Sequence, residues 1–173
     1  MKNKMTQAKT YITTVGYGEL QHKINQLEQK LKDLLLEKAV AYEASGDGWH
    51  DNPGWIQIGQ QEERLTLEIK ELRNRLKTAT LVEGDSRNTN TIQIGSIVQI
   101  SQNVMKHKRE MVLEIVGSQE SNLSKGRIAY DTPIGKAILG FSEGDEVDFL
   151  APAGKMKIKI LKLFANWDET KNH

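Results

Sequence analysis

Gly46-Asp47-Gly48-Trp49-His50-Asp51-Asn52-Pro53-Gly54 separates two runs that share one periodicity. Before it, Leu20, Ile24, Leu27, Leu31 and Leu34 recur at alternating spacings of four and three; after it, Leu65, Ile69, Leu72, Leu76 and Ala79 do the same. Each run lines one face of a helix, and two such faces joined by a turn predict an antiparallel coiled-coil hairpin. At 1.5 Å per residue the arm from Leu20 to Gly46 spans about 40 Å, longer than a small domain is wide. Gly, Asp, Asn and Pro build many turns for conformational reasons alone. A helical hairpin, however, turns in about 2–5 residues; this stretch is longer, carries Asp47 and Asp51, and adds Trp49. The pattern suggests a stiff rod that delivers two carboxylates, with a solvated structural turn as the alternative.

The first helix is expected to start near Thr13 or Thr14, whose hydroxyls can accept a backbone N–H at the N-cap. Gly16 and Gly18 weaken its first turn, so regular helix is expected from Glu19. The seam continues through Lys38 and Ala41, and a polar residue at a seam position sets register at some cost in stability. Leu35 and Leu36 broaden the apolar face, and Gly46 stops the helix. The second helix begins after Asn52-Pro53, because proline disfavours helix in the residue before it and fits the first turn itself. Trp55, Ile58 and Glu62 extend the return seam toward the tip, and the pattern closes near Leu81. Residues 1–83 are thus assigned to the hairpin, 84–90 to a polar linker and 91–173 to a second domain.

Composition bounds the function. The 173 residues are 38% hydrophobic and 27% charged, with a net charge of +1 and no cysteine. Disulfides and thiolate metal sites are excluded, and the lack of cysteine suits a reducing compartment. Met1 to Tyr11 is polar, without the apolar core of a secretory signal, and no run approaches the ~18 apolar residues of a membrane span. The expectation is a soluble cytoplasmic protein. Up to Glu83 the chain holds 12 basic and 12 acidic residues, and beyond it 12 and 11, so neither half has the basic excess of a general nucleic-acid binder. Lys106, His107, Lys108 and Arg109 read as a charged hairpin loop, and Lys155, Lys157, Lys159 and Lys162 as the wet face of a strand. His22, His107 and His173 form no ligand spacing, and there is no phosphate loop, Ser/His/Asp set or nucleotide fingerprint.

Beyond the linker the period changes from helical to alternating. Ile92, Ile94, Ile97, Val98 and Ile100 mark one strand, Met111 to Val116 a second, Arg127 to Tyr130 a third. Thr132-Pro133 opens a short helix from Ile134 to Leu139, closed by Gly140. Glu146 to Leu150 and Lys155 to Phe164 form a final hairpin. In its second arm Met156, Ile158 and Ile160 alternate, then Leu161 and Leu163 run one residue out of phase, which predicts a β-bulge. The fold class is α+β: a helical hairpin plus a small, mostly antiparallel sheet with one short helix packed on it.

Lys125-Gly-Arg-Ile-Ala-Tyr-Asp-Thr-Pro-Ile-Gly-Lys-Ala-Ile-Leu-Gly140, Glu143-Gly-Asp-Glu-Val147 and Ala151-Pro-Ala-Gly154 resemble the C-terminal domain of the Gre transcript-cleavage factors. Thr13-Thr-Val-Gly16 and Gly46-Asp47 match the family's N-terminal half, and the resemblance runs from about Ile12 to Phe164. It implies an FKBP-like C-terminal domain that binds RNA polymerase at the rim of its secondary channel, through Pro133, Ile134, Gly135 and Lys136. It further implies a coiled coil reaching the active centre, where Asp47 and Asp51 take the catalytic role and help hold Mg²⁺ shared with the polymerase. The chain is then a monomeric accessory factor, and the polymerase itself cleaves the nascent RNA. Two carboxylates suit Mg²⁺ but fill few of its octahedral positions, so the free protein is expected to hold none stably. Trp49 and His50 are candidates for contact with the RNA 3′ end; the alternatives are a Trp49 folded back on the hairpin and a His50 without a role.

The tip departs from the family pattern. Aligning Gly46-Asp47 puts the family's Glu-Asn pair on Asp51-Asn52, with one extra residue between the acids and a side chain shorter by a methylene. Gly48, Trp49 and His50 replace the usual leucine and lysine. The runner-up reading is therefore a non-cleaving relative that occupies the same channel and inhibits the polymerase. A third, a prolyl isomerase, needs an aromatic-lined pocket and finds few candidates in Tyr130, Phe141, Phe149, Phe164 and Trp167.

Overall fold

A computed structural model describes residues 9–46, 52–82, 89–104, 107–151 and 154–172. It is α+β, with two long helices and a mixed sheet. The chain divides into two compact units: Tyr17–Ala79, and Met1–Gly16 together with Thr80–His173. The chain on either side of the helical unit therefore belongs to the sheet-bearing unit.

In the helical unit, α1 spans Thr14–Ser45 and α2 spans Pro53–Thr78, about 48 and 39 Å long at the standard rise. Ile24 packs with Ile69 and Leu72, flanked by Leu20, Leu27, Leu31 and Leu76. Leu34 packs with Ile58 and Leu65, with Ala41 beside them. Ascending positions of α1 thus meet descending positions of α2, as the three-four spacing requires of an antiparallel pair. Lys38 and Glu62, both at seam positions, meet each other, with Nζ and Oε2 2.5 Å apart, and the ammonium lies 4.9 Å from the centre of the Trp55 ring. Leu35 and Leu36 are exposed flanks of the seam.

The other unit begins with two strands that the sequence reading missed. β1 (Tyr11–Thr13) pairs in parallel with β2 (Thr80–Val82), so the second helix ends at Thr78 rather than near Leu81. Three-residue strands are too short to impose a visible alternation on the helical rhythm beside them. Glu120 locks this pair to the rest of the unit: Thr13 N–H donates to Oε1 at 2.8 Å and Thr13 Oγ1 to Oε2 at 2.5 Å. The same Oγ1 accepts from Gly16 N–H at 3.0 Å, capping α1 as the sequence suggested. Ser118 N–H adds a bond to the Tyr11 carbonyl at 3.0 Å.

The main sheet comprises β3 (Ile97–Val104), β4 (His107–Val116), β5 (Arg127–Ala129), β6 (Glu146–Ala151) and β7 (Gly154–Phe164), in the order β5-β4-β3-β7-β6. All neighbours are antiparallel except β4 and β5, which run parallel. The sheet is mostly antiparallel, as expected, and its one parallel pair arises because residues 117–126 cross over between β4 and β5 instead of making a hairpin. The first strand also starts later than expected. Gly95, at φ +95°, and Ser96 turn the chain before Ile97, leaving Ile92 to brace Gly140 and Phe141 through two backbone bonds of 2.8 Å.

The predicted bulge is present. Gln99 faces Lys162 and Ile100 faces Ile160, so Leu161 is the extra residue. The shift lets Ile158, Ile160 and Leu163 share one buried core with Val98, Ile100, Leu113, Ile115 and Ile138. On the outer side, Lys157 and Lys159 both approach Glu146, at 3.2 and 3.8 Å, which makes them the wet face that was expected. Buried Glu114 accepts from Arg127 Nε at 3.3 Å and Trp167 Nε1 at 3.4 Å, so its charge is paired rather than stranded.

The Glu120 lock depends on a glycine. A Cβ at Gly117 would overlap the Glu120 carboxylate and sit 2.5 Å from the Tyr11 carbonyl oxygen, and that backbone has no freedom to move without breaking β1 from its neighbours. Gly117→Ala should therefore destabilise the sheet-bearing unit by about 1–3 kcal/mol, the cost typical of overpacking. For a unit of this size, that lowers the thermal midpoint by roughly 4–8 °C per kcal/mol. A calorimetric midpoint equal to wild type would show that the contact is relaxed in solution.

Candidate functional site

The hairpin end is built from two helix termini. Asn52 is the N-cap of α2, with extended backbone (φ −78°, ψ 110°) and Pro53 at the first helical position, where the missing N–H costs nothing. Its Oδ1 accepts from Gly54 N–H at 2.9 Å and Trp55 N–H at 3.4 Å. Its Nδ2 donates to Ser45 Oγ at 2.6 Å, and the Ser45 hydroxyl donates to the Ala41 carbonyl at 2.7 Å. Gly46 follows at φ +56°, a left-handed conformation that favours glycine. The two helices are thus tied together at the residues that flank the tip.

Asp47, Trp49, His50 and Asp51 lie outside the described residues. Among the described residues, no group of three His, Cys, Asp or Glu side chains is placed to hold a metal ion. The donors that fit Mg²⁺ by chemistry are the two tip aspartates, hard oxygen ligands that leave most of an octahedral shell to others. Sequence reasoning placed a helix start at Asn52-Pro53 but did not single out Ser45. A hydroxyl in the last turn of one helix, followed within a short loop by an Asn-Pro start, was the available signal.

The second candidate site is the α3 region (Pro133–Ile138). Thr132 caps it, its Oγ1 accepting from Gly135 N–H at 3.1 Å and donating to the Ala129 carbonyl at 2.7 Å. Gly140, at φ +82°, turns the chain after it. The four docking candidates divide here. Pro133 and Lys136 are exposed, and Ile134 is half-buried against the core. Gly135 is buried, where a Cβ would strike the Ala129 carbonyl oxygen and lie 2.9 Å from the Tyr130 carbonyl carbon. Gly135 thus sets the close approach of α3 to β5 and presents little to a partner. Nearby, Asp131 is exposed and its Oδ2 accepts from Ser118 Oγ at 2.6 Å.

Three of the aromatics that a proline pocket would need are committed elsewhere. Tyr130 packs edge-on to Tyr11 at 5.7 Å, Phe164 is buried in the unit's interior, and Trp167 lies over Gly126 and bonds Glu114. Among the described residues, no helix is long and apolar enough to cross a membrane.

Comparison with known proteins converges on one family. The model for the GreA/GreB transcription elongation factor C-terminal region matches residues 87–163. Transcription elongation factor GreA of Thermosipho africanus is 30% identical over 157 residues, covering 91% of this chain and 97% of that protein. GreA of Helicobacter hepaticus is 31% identical over 153 residues, covering 88% and 92%. Among solved structures, GreA factor homolog 1 of Thermus thermophilus is 23% identical, covers 91% of this chain and 99% of that chain, and superposes with a TM-score of 0.41. With full-length relatives at this identity, the chain belongs to the GreA/GreB family of transcription elongation factors.

Proposed function

We propose that this chain binds bacterial RNA polymerase in the cytoplasm as a monomeric accessory factor and stimulates the polymerase's own Mg²⁺-dependent cleavage of backtracked nascent RNA. The observation that carries this reading is the clasped hairpin end on a GreA/GreB-family chain: Ser45 and Asn52 join the helices on either side of a loop whose sequence contains Asp47 and Asp51. Asp47 and Asp51 are assigned as ligands that complete the polymerase's metal site. Mg²⁺ bound there supplies positive charge for the attacking and leaving oxygens of phosphodiester hydrolysis. The protein's own contribution is to present the carboxylates together and in place, because misplacement by about 1 Å is costly to such chemistry. Trp49 is assigned to stacking on the RNA 3′-terminal base, a contact worth about 1–3 kcal/mol per base in single-strand binders, and His50 to the same neighbourhood.

Docking is assigned to the α3 region, narrowed by its geometry to Pro133 and Lys136 with Ile134 behind them. Lys136→Glu should weaken binding to polymerase in a competition assay while leaving the thermal midpoint unchanged, because the side chain is exposed. Unchanged affinity would remove this surface from the docking site.

The altered tip, with its extra residue and shorter second acid, favours one competing reading: a factor that fills the same channel and inhibits nucleotide addition without cleaving. Asp47→Asn and Asp51→Asn separate the two. Each keeps size and removes the charge that draws in the cation. If the chain cleaves, either variant should lose about 2–4 kcal/mol of transition-state stabilisation, or roughly 30- to 1,000-fold in rate, with binding retained. If it inhibits, wild type should shorten no RNA and slow elongation, and the same variants should relieve the slowing. A bound wild type that does neither would reduce the aspartates to turn formers.

A further inference from the structure

We propose that Asn52 is a positioning residue of the acidic tip, acting through Ser45 to fix the two chain ends between which Asp47 and Asp51 lie in sequence. This rests on the reading of the tip as the acting end of the hairpin. Capping alone does not call for asparagine, because Asn, Asp and Ser cap a helix about equally well and need only an acceptor oxygen. Here both ends of the amide are used. Oδ1 faces two backbone N–H groups of α2, at 2.9 and 3.4 Å, so the NH₂ end must point the other way. There it finds Ser45 Oγ at 2.6 Å. The single Ser45 hydroxyl proton goes to the Ala41 carbonyl at 2.7 Å, which leaves a lone pair to receive Asn52. Donors and acceptors therefore alternate without conflict from the last turn of α1 to the first turn of α2.

The clasp lies beyond the packed seam. Its outermost layer is Leu34 and Ile58 with Ala41 beside them, one turn short of Ser45. Asp51 is bonded directly to Asn52, and Asp47 stands one residue beyond the Ser45-Gly46 pair. The separation of the loop ends is thus held by a side-chain bond between residues that flank both candidate acids in sequence, and reactions that need atoms placed to about 1 Å respond to such holding.

Two substitutions break the clasp while keeping an N-cap on α2: Ser45→Ala, and Asn52→Ser, which retains a capping oxygen but cannot span to Ser45. In a halted, backtracked complex with saturating protein, each should lower tip activity by about 10- to 100-fold, as expected for misplacement of about 1 Å, and should raise the Mg²⁺ concentration for half-maximal effect. Tip activity means RNA shortening if wild type cleaves, and slowed nucleotide addition if it inhibits. Competition for polymerase against labelled wild type, and the helical melting midpoint, should stay close to wild type. The double variant should be no worse than the singles, because one bond is broken twice, and Ser45→Thr should restore activity by returning the hydroxyl. A wild type inert in both assays overturns the functional reading and the positioning role with it. Variants as active as wild type, or losses that track the melting midpoint with an unchanged Mg²⁺ dependence, overturn the positioning role alone.

Discussion

A two-helix hairpin buries one stripe of each helix and has no other core, so its straightness rests on the seam between α1 and α2. Ile24, Leu34, Ile58, Leu65, Ile69 and Leu72 are the buried members, each contributing about 1.5–3 kcal/mol by leaving water. The ion pairs across the same interface, Lys23 with Glu68 and Arg73 with Glu28, are largely exposed and contribute less than about 1 kcal/mol each. Apolar packing, then, decides the stiffness, and the charges decorate it. Lys38 and Glu62 are the exception, because they occupy seam positions. Partly screened from water and paired with each other, with the Lys38 ammonium over the Trp55 ring, they replace an apolar layer with one that tolerates a single alignment of the helices. Moving one helix by a turn would bury one of these charges without its partner, a penalty larger than the pair's own gain.

The sheet-bearing unit solves a different problem with a single carboxylate. Glu120 satisfies the backbone and hydroxyl of Thr13, while Thr13 caps the first turn of α1. Gly16 and Gly117 leave the space it occupies. The glycine of the Thr13-Thr-Val-Gly16 motif thus has a packing reason at the start of the helix, where its low helix propensity would otherwise count against it.

Much of this was legible in the sequence because it is written in local periodicity. The three-four spacing predicted both helices and their partner faces, and the phase shift at Leu161 predicted the bulge that redirects β7. What escaped has no local signature. The parallel direction of β5 depends on a crossover of ten residues, which the Arg127-Ile-Ala129 triplet does not encode. β1 and β2 are three residues each and pair across the whole helical segment. Glu120 reaches a residue 107 positions away, and nothing in Ser-Gln-Glu-Ser announces it. At the candidate site the cap of α2 could be read from Asn-Pro, but the donor arm of Asn52 meets Ser45 on the other helix, a pairing that no local pattern encodes. The Thr132 to Gly140 stretch was legible as a motif, whereas its division into exposed Pro133 and Lys136 and buried Gly135 was not.

The proposed function makes one physical demand above all others: the hairpin end must come within reach of the RNA 3′ terminus inside the polymerase, whether the outcome there is cleavage or inhibition. A photoreactive phenylalanine derivative placed at position 49, irradiated in a halted complex with 3′-labelled RNA, tests this directly. An adduct between the protein and the 3′-terminal nucleotides, absent when the same group is placed at position 136, is the predicted result. Labelled RNA that remains free of adduct from position 49, with the protein demonstrably bound, would contradict it.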